Sequence, residues 1–293
     1  MSPDASPRPG VIVHGLRDGE TNETSSVSEW DEAIARIVDG RVRRVLVLGA
    51  VDVGKSTFCQ LLLHRASERG RTAAVIDTDV GQKMIGPPAT VTGATSEAPE
   101  ALTGLAFVGT MDPAQGVTRV VSGLDRLCRS ARTDLLIVNT SGLLRGVGRR
   151  LKAAKIAVLR PDLLLTIGDD PHLDLIAAEH AGVARLRLAS SPEAQRKTPG
   201  QRRAARREAF RRYLEAGRSC IIPLASSGLL ALSDRQLVGL VDHKGRDVAL
   251  GLVEALDRAR GEVQVLSPAR TEAVGGLILG WLRLDEYWNA RPL

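Results

Sequence analysis

RVLVLGAVDVGKST, residues 44–57, runs from an apolar stretch directly into a loop bounded by Gly49 and Gly54 and closed by Lys55 and Ser56. The spacing is G-x-x-x-x-G-K-[ST], placed after a strand-like run and before KSTFCQLLLHRASERG, which reads as a helix closed by Gly70. That context gives the spacing its meaning. The glycines let successive backbone N–H groups curl around phosphates, and the helix N-terminus adds its partial positive charge. Gly49, Asp52, Val53, Gly54, Lys55, Ser56 and Thr57 are therefore the candidate nucleotide cradle. Lys55 is expected to reach the β- and γ-phosphates, and the Ser56 hydroxyl to ligate Mg2+.

Outward from this loop the pattern alternates. SEWDEAIARIVDG, with Ser28 as N-cap, predicts a helix before it; TAAVID, LAFVG, DLLIVNT, DLLLTIG and VARLRL predict strands after it. Helical stretches GVTRVVSGLDRLCRSAR, RRLKAAKIAVLR and PHLDLIAAEHAG lie among them. Continuous apolar strands alternating with helices predict an α/β fold, a P-loop NTPase core whose parallel sheet is flanked by helices. Past Arg218 short apolar runs separated by Gly, Ser, Pro and Asp predict a small, mainly β C-terminal unit. The expected organisation is a loosely ordered segment at 1–25, a P-loop domain at 26–216 and the β unit at 217–293. Trp281 and Trp288, with no basic residues clustered around them in sequence, are expected to be packing or interface residues rather than base-stackers.

Ligands of such sheets bind at the carboxyl ends of the strands. IDTDVGQ follows a strand, so Asp77, Asp79 and Gln82 are expected at the same edge as the P-loop. Carboxylates there can bind a metal or accept a proton from an attacking hydroxyl, which makes Ser56, Asp77 and Asp79 the candidate metal residues. Thr140, Ser141 and Gly142 end another strand and form a candidate third loop, or a plain turn. There is no N-K-x-D sequence of the kind that reads guanine.

Charge is concentrated. The chain has 293 residues and a net charge of +6, but Gln195 to Arg218 holds nine basic and two acidic residues, so the rest sums to about −1. This segment predicts a helix starting near Pro199 or Gly200, with Arg202 and Arg206 on one face close to Tyr213, and Arg203 and Arg207 as a second pair beside Phe210. Arginine pairs can clamp a transferring phosphoryl group or grip the phosphates of a strand. The concentrated charge suits a polyanion. No run of about 18 apolar residues suggests a membrane span, and the N-terminal residues lack a secretory pattern. Cys59, Cys128 and Cys220 are scattered, which fits buried thiols in a reducing cytoplasm.

These residues together resemble the polynucleotide 5′-hydroxyl kinase family, which includes the kinase subunit of the mRNA 3′-end cleavage machinery and nucleolar pre-rRNA processing kinases. The resemblance runs from about Arg44 to Tyr213. It rests on GAVDVGKST as the P-loop, DTDVGQ as the acidic D-x-D-x-G-Q motif, NTSGLLRG as the T-x-G-W clasp, and Arg202-Arg-Ala-Ala-Arg206 as the R-x-x-x-R lid. It implies transfer of the ATP γ-phosphate to the 5′-hydroxyl end of RNA or DNA, with ATP and Mg2+ as cofactors. It implies Asp79 as base, Lys55 and Ser56 on the triphosphate and metal, and Arg202 and Arg206 closing over the transferring group. Gln82, Thr140, Ser141, Gly142, Arg203 and Arg207 would hold the acceptor. The clasp departs from the family by having Leu143 where Trp is frequent. The N-terminal β-domain of eukaryotic members is not expected in the roughly 40 residues before Arg44, so the expected plan resembles the short prokaryotic form. Two other readings stand beside this one: an ATP-binding switch or scaffold of an RNA-processing assembly with little transfer, and a kinase for a small hydroxylated metabolite.

Overall fold

Apolar residues alternate between two faces along each central strand, and each face is roofed by helices. In this computed structural model, residues 28–191 and 193–293 are described; the segment expected to be loosely ordered, 1–25, lies outside them. The first part runs α1 (Glu29–Asp39), β1 (Arg44–Gly49), α2 (Lys55–Glu68), β2 (Ala73–Asp77), β3 (Thr90–Thr95), β4 (Gly104–Phe107), α3 (Val117–Ser130), β5 (Leu135–Asn139), α4 (Val147–Leu159), β6 (Leu163–Ile167), α5 (Pro171–Glu179), β7 (Ala184–Leu188) and α6 (Pro199–Glu215). Seven strands form one sheet in the order β4-β3-β2-β5-β1-β6-β7. Val45 and Val47 of β1 pack with α1 and α2 through Ile34, Ile37, Phe58 and Leu62. Leu46 and Leu48 face the other way, onto Leu124 of α3, Leu151 and Ile156 of α4 and Leu173 of α5.

The sheet is mostly, not wholly, parallel. β2, β5, β1, β6 and β7 are parallel, but β3 pairs antiparallel with both β2 and β4. β3 has no apolar run to announce it: TVTGAT buries two threonines instead. Their hydroxyls are satisfied locally, Thr90 donating to Pro87 O at 2.6 Å and Thr92 to Ile85 O at 2.8 Å, which removes most of the cost of burying them.

The C-terminal part is a six-stranded antiparallel sheet, order β13-β12-β9-β10-β11-β8, built from β8 (Arg218–Pro223), β9 (Gln236–Val241), β10 (Asp247–Asp257), β11 (Glu262–Ser267), β12 (Gly276–Leu284) and β13 (Ala290–Pro292). It is fastened to the β4 edge of the first sheet. Arg126 of α3 pairs with Asp247, Trp281 N donates to Gly109 O at 2.8 Å, and Phe107 packs over Gly239, where a Cβ would come within 2.5 Å of its ring. Phe107, Phe210 and Leu214 share a core with Leu237, Leu250, Leu252 and Leu282. Burying each such side chain contributes about 1.5–3 kcal/mol, so the C-terminal half of α6 is held firmly between the two sheets.

The two C-terminal tryptophans do have basic neighbours in space. The Arg119 guanidinium lies 4.3 Å from the Trp281 ring centroid, and Arg235 lies 5.9 Å from that of Trp288. Cys59 and Cys220 are buried and Cys128 is half-buried. Among the described residues no helix is long and apolar enough to cross a membrane.

Candidate nucleotide and phosphoryl-transfer site

The turn from β1 into α2 is held in a conformation that the sequence selects. Gly54 has φ 98°, and a Cβ there would lie 2.8 Å from the Trp30 ring and 3.2 Å from Ser191. Asp52 adopts φ 61°, a left-handed conformation that Asp tolerates better than most residues. Gly49 and Val53 shape the loop from behind: a Cβ on Gly49 would meet Val53 Cγ2 at 2.7 Å and Ile167 O at 2.9 Å. Trp30 braces the turn, its indole donating to Ala189 O at 3.0 Å and its ring standing edge-on to Phe58.

Above this loop lies a cavity of about 840 Å³. Asp52, Gly54, Lys55, Ser56 and Thr57 line it, together with Asp79, Gln82, Thr140, Ser141, Gly142, Arg202 and Arg206. Residues from three loops and one helix thus meet around one space, Asp52 and Arg202 from 150 positions apart in sequence. Gly49, Val53, Asp77, Arg203 and Arg207 are not on its wall.

Lys55 is 7% exposed and donates to Ala50 O at 2.5 Å. Burial lowers its pKa, and Asp79 is the strongest of the groups opposing that shift. Asp79 accepts from the backbone N–H of Gly81 and of Gln82, both at 2.9 Å and both on Oδ1. Its Oδ2 accepts no hydrogen bond among the described residues.

Asp77, expected beside the metal, lies beneath the cavity floor and is 0% exposed. Both its oxygens are engaged by the chain. Oδ1 accepts from Asp79 N at 3.1 Å and Asn139 Nδ2 at 3.0 Å; Oδ2 accepts from Met84 N at 2.8 Å and pairs with Lys83 Nζ at 3.0 Å. A carboxylate so occupied organises the loop and has no oxygen to spare for direct metal ligation.

The clasp loop touches the P-loop. A Cβ at Gly142 would lie 2.5 Å from Val51 N, so only glycine permits this approach. Thr140 donates to Val47 O at 2.8 Å, tying the loop to β1.

α6 begins where its sequence says it should. Thr198 and Gln201 form a reciprocal capping box, with Pro199 in the first turn. Arg202 ion-pairs with Asp52 of the P-loop, and Lys197 N donates to the same carboxylate at 2.9 Å. Arg206 lines the cavity with no carboxylate partner among the described residues; burial, then repulsion from Arg202 and Arg203, lowers its pKa. Arg203 and Arg207 are exposed and off the cavity wall, on the same helical stripe as Phe210, which is itself buried. Tyr213 continues the Arg202–Arg206 stripe into the core, where its hydroxyl accepts from Leu250 N at 3.2 Å.

Sequence reasoning missed four polar residues around this floor: Lys83, Asn139, Lys152 and Lys155. All but Lys83 are among the buried polar side chains, and Lys83 is 2% exposed. A signal existed for the α4 pair. Lys152 and Lys155 fall on the same helical stripe as Leu151, Ile156 and Leu159, where a solvated lysine does not belong.

The residues present fit a nucleotide with its metal. Backbone N–H groups from Val51 to Gly54 donate to nothing among the described residues, the unpartnered donors that phosphate oxygens accept from. Asn139 Nδ2 lies 3.3 Å from Ser56 Oγ, while its buried Oδ1 has no partner among the described residues; an acceptor placed there suits a metal-bound water. Among the described residues no cluster of three His, Cys, Asp or Glu could hold a metal alone. Mg2+ bound by one or two side chains plus phosphate oxygens needs no such cluster.

The sheet order, the loop and its unpartnered donors define a P-loop nucleotide-binding protein. The family model for the mRNA cleavage and polyadenylation factor CLP1 P-loop matches residues 49–216, and the chain belongs to that family. It is similar to a polyribonucleotide 5′-hydroxyl-kinase of Pyrococcus horikoshii, 35% identical over 182 residues, which are 59% of this chain and 50% of that one. A kinase of the same name from Thermococcus kodakarensis is 34% identical over 177 residues, 58% and 50% of the two chains. The Xenopus tropicalis polyribonucleotide 5′-hydroxyl-kinase Clp1 is 29% identical over 201 residues, 62% and 46%. The chain thus spans about half the length of the curated relatives it matches. The solved Clp1p–Pcf11p complex contains a chain of similar fold, with a TM-score of 0.65 at 12% identity, covering 86% of this chain and 77% of that one.

Proposed function

We propose that this protein is an ATP-dependent polynucleotide 5′-hydroxyl kinase and that RNA ends are its acceptor. The observation that carries the reading is the shared cavity: Lys55, Ser56, Asp79, Arg202 and Arg206 line one space. The names of its relatives, which specify polyribonucleotide ends, support RNA over DNA. ATP, held with Mg2+, supplies the γ-phosphoryl group. Ser56 would ligate the metal, with Asn139 beside its hydroxyl and Asp79 lining the same cavity. Asp79 Oδ2 takes the proton of the attacking 5′-hydroxyl, while the Gly81 and Gln82 amides hold the carboxylate through its other oxygen. Lys55 and Arg206 stabilise the charge that spreads over the transferring oxygens. Arg202, anchored on Asp52, keeps α6 over the site and helps exclude water. Gln82 and the loop Thr140–Gly142 position the acceptor end. Arg203 and Arg207, outside the cavity, attract the following phosphates of the strand.

The test is incubation with γ-labelled ATP and 5′-hydroxyl oligonucleotides. Label is expected on the RNA oligonucleotide and is expected to be lost in Lys55→Ala and Asp79→Ala. ATP binding without transfer to any acceptor would replace this reading with the switch or scaffold. Leu143, 37% exposed and offering no aromatic face where the T-x-G-W clasp pattern calls for Trp, favours that second reading. Transfer to a small metabolite alone would favour the third.

A further inference from the structure

α4 lies against the face of the sheet opposite the P-loop helix, yet two of its side chains reach the ends of the strands that carry the site. Lys152 and Lys155 are each 0% exposed, and neither has a carboxylate within ion-pair distance among the described residues. Burying an ammonium without a paired carboxylate is costly, and such groups are retained where something other than stability requires them.

Their contacts are specific. Lys155 Nζ lies 2.7 Å from Thr78 Oγ1 and 3.5 Å from Thr78 O. The single Thr78 hydroxyl proton is already given to Asn139 O at 2.6 Å, so in the contact with Lys155 the lysine is the donor. Thr78 N donates to the same Asn139 carbonyl at 3.1 Å. A continuous relay therefore runs from α4 through Thr78, between Asp77 and Asp79, to the last residue of β5. Lys152 Nζ donates to Ser141 O at 2.6 Å and lies 3.4 Å from Ser141 Oγ, two residues beyond Asn139. One helix thus grips the base loop after β2 and the clasp loop after β5 from beneath.

We propose that Lys155 and Lys152 are positioning residues of the transfer site, Lys155 fixing Thr78 so that Asp79 faces the acceptor hydroxyl and Lys152 fixing Ser141 so that the clasp loop keeps its spacing from the P-loop. The inference rests on the kinase reading for its catalytic consequence. Its structural content stands apart from it: two buried lysine amines set the relative height of two loops. A floor built on hydrogen-bond donors holds its geometry more tightly than one built on apolar contacts, because each donor has direction as well as reach.

The experiment compares the full chain with Lys155→Met and Lys152→Met, which keep length and remove the donor. Thr78→Val removes the acceptor and leaves Lys155 in place. Two readouts are taken: amide hydrogen exchange of 77–83 and 139–143, and steady-state transfer to a 5′-hydroxyl RNA oligonucleotide. Lys155→Met and Thr78→Val are expected to speed exchange at 77–83 and to lower kcat by about 10- to 100-fold, with KM for ATP within about twofold. Lys152→Met is expected to speed exchange at 139–143 and to raise KM for the oligonucleotide. Unchanged exchange in both loops in all three variants, each folded by circular dichroism, overturns the proposal whatever the activity. Were the parent protein to transfer phosphate to no 5′-hydroxyl end, the kinase reading would fail by itself and the exchange result alone would decide this one.

Discussion

The floor and the roof of the cavity are built on opposite principles. The floor consists of strand ends whose polar groups are buried and partnered: Asp77 with Lys83, Met84 N and Asn139, Thr78 with Lys155, Ser141 with Lys152. The roof is the N-terminal half of α6, where among the described residues Arg202 holds a single ion pair and Arg206 none, and Arg203 and Arg207 face water. Its C-terminal half is anchored by Phe210 and Leu214. The contrast teaches which part is preorganised and which part answers to a ligand. A floor of desolvated, mutually bonded groups resists displacement. A roof hinged on a buried core and latched by one pair to the P-loop can exchange that partner for phosphate oxygens.

Breaking the floor-side chemistry should have the largest effect. Asp79→Asn keeps the Oδ1 contacts to Gly81 and Gln82 but removes the proton acceptor, and should lower kcat by about 10³-fold with little change in ATP affinity, read by single-turnover transfer. Opening the roof comes next. Arg206→Ala should lower kcat by about 10²-fold, as expected for losing one charged donor at the transferring group, and Arg202→Ala by less, because part of its charge is already engaged by Asp52. Equal losses would erase the distinction between a free and a latched arginine. The smallest effect belongs to the outer face of α6: Arg203→Ala or Arg207→Ala should leave kcat unchanged, weaken oligonucleotide affinity a few-fold, and reduce the salt slope of binding by about 1.

A stability measurement sharpens the same comparison. Burial, opposed by Asp79 and Asp77 and reinforced by Lys83, holds the Lys155 pKa down to about 7, below the value near 10.4 of an unfolded lysine. Between these values the unfolded chain binds more protons, so this group makes stability rise with pH, and its full cost is present below about pH 7. Lys155→Met should therefore raise the melting temperature, most below about pH 7 and least near pH 10.4, even as transfer falls. A melting temperature lowered at every pH would show that Lys155 belongs to the packing alone.

Much of this was legible in residue order. The cradle needed only the spacing of Gly49, Gly54, Lys55 and Ser56 between a strand and a helix, since such a turn has few other uses. The helix start at Pro199 could be read from local capping chemistry, and Arg202 and Arg206 from a four-residue interval. β3 was not legible: its threonines are buried by hydrogen bonds to Pro87 and Ile85, which no hydropathy pattern records.

By itself the sequence determined the P-loop, the alternation that makes an α/β sheet, the concentration of positive charge, and the family in which those motifs occur together. Each is a local or periodic property, written within one element. Only the tertiary structure decided that Asp77 lies beneath the site and Asp79 at its surface, that one arginine pair faces the cavity and the other faces water, and that two lysines of α4 stand under the loops. Two carboxylates two residues apart, or two arginines one position apart, look alike along a chain. What separates them is the direction each side chain takes from a packed backbone, and burial and partnering are set by residues that approach from far away in sequence.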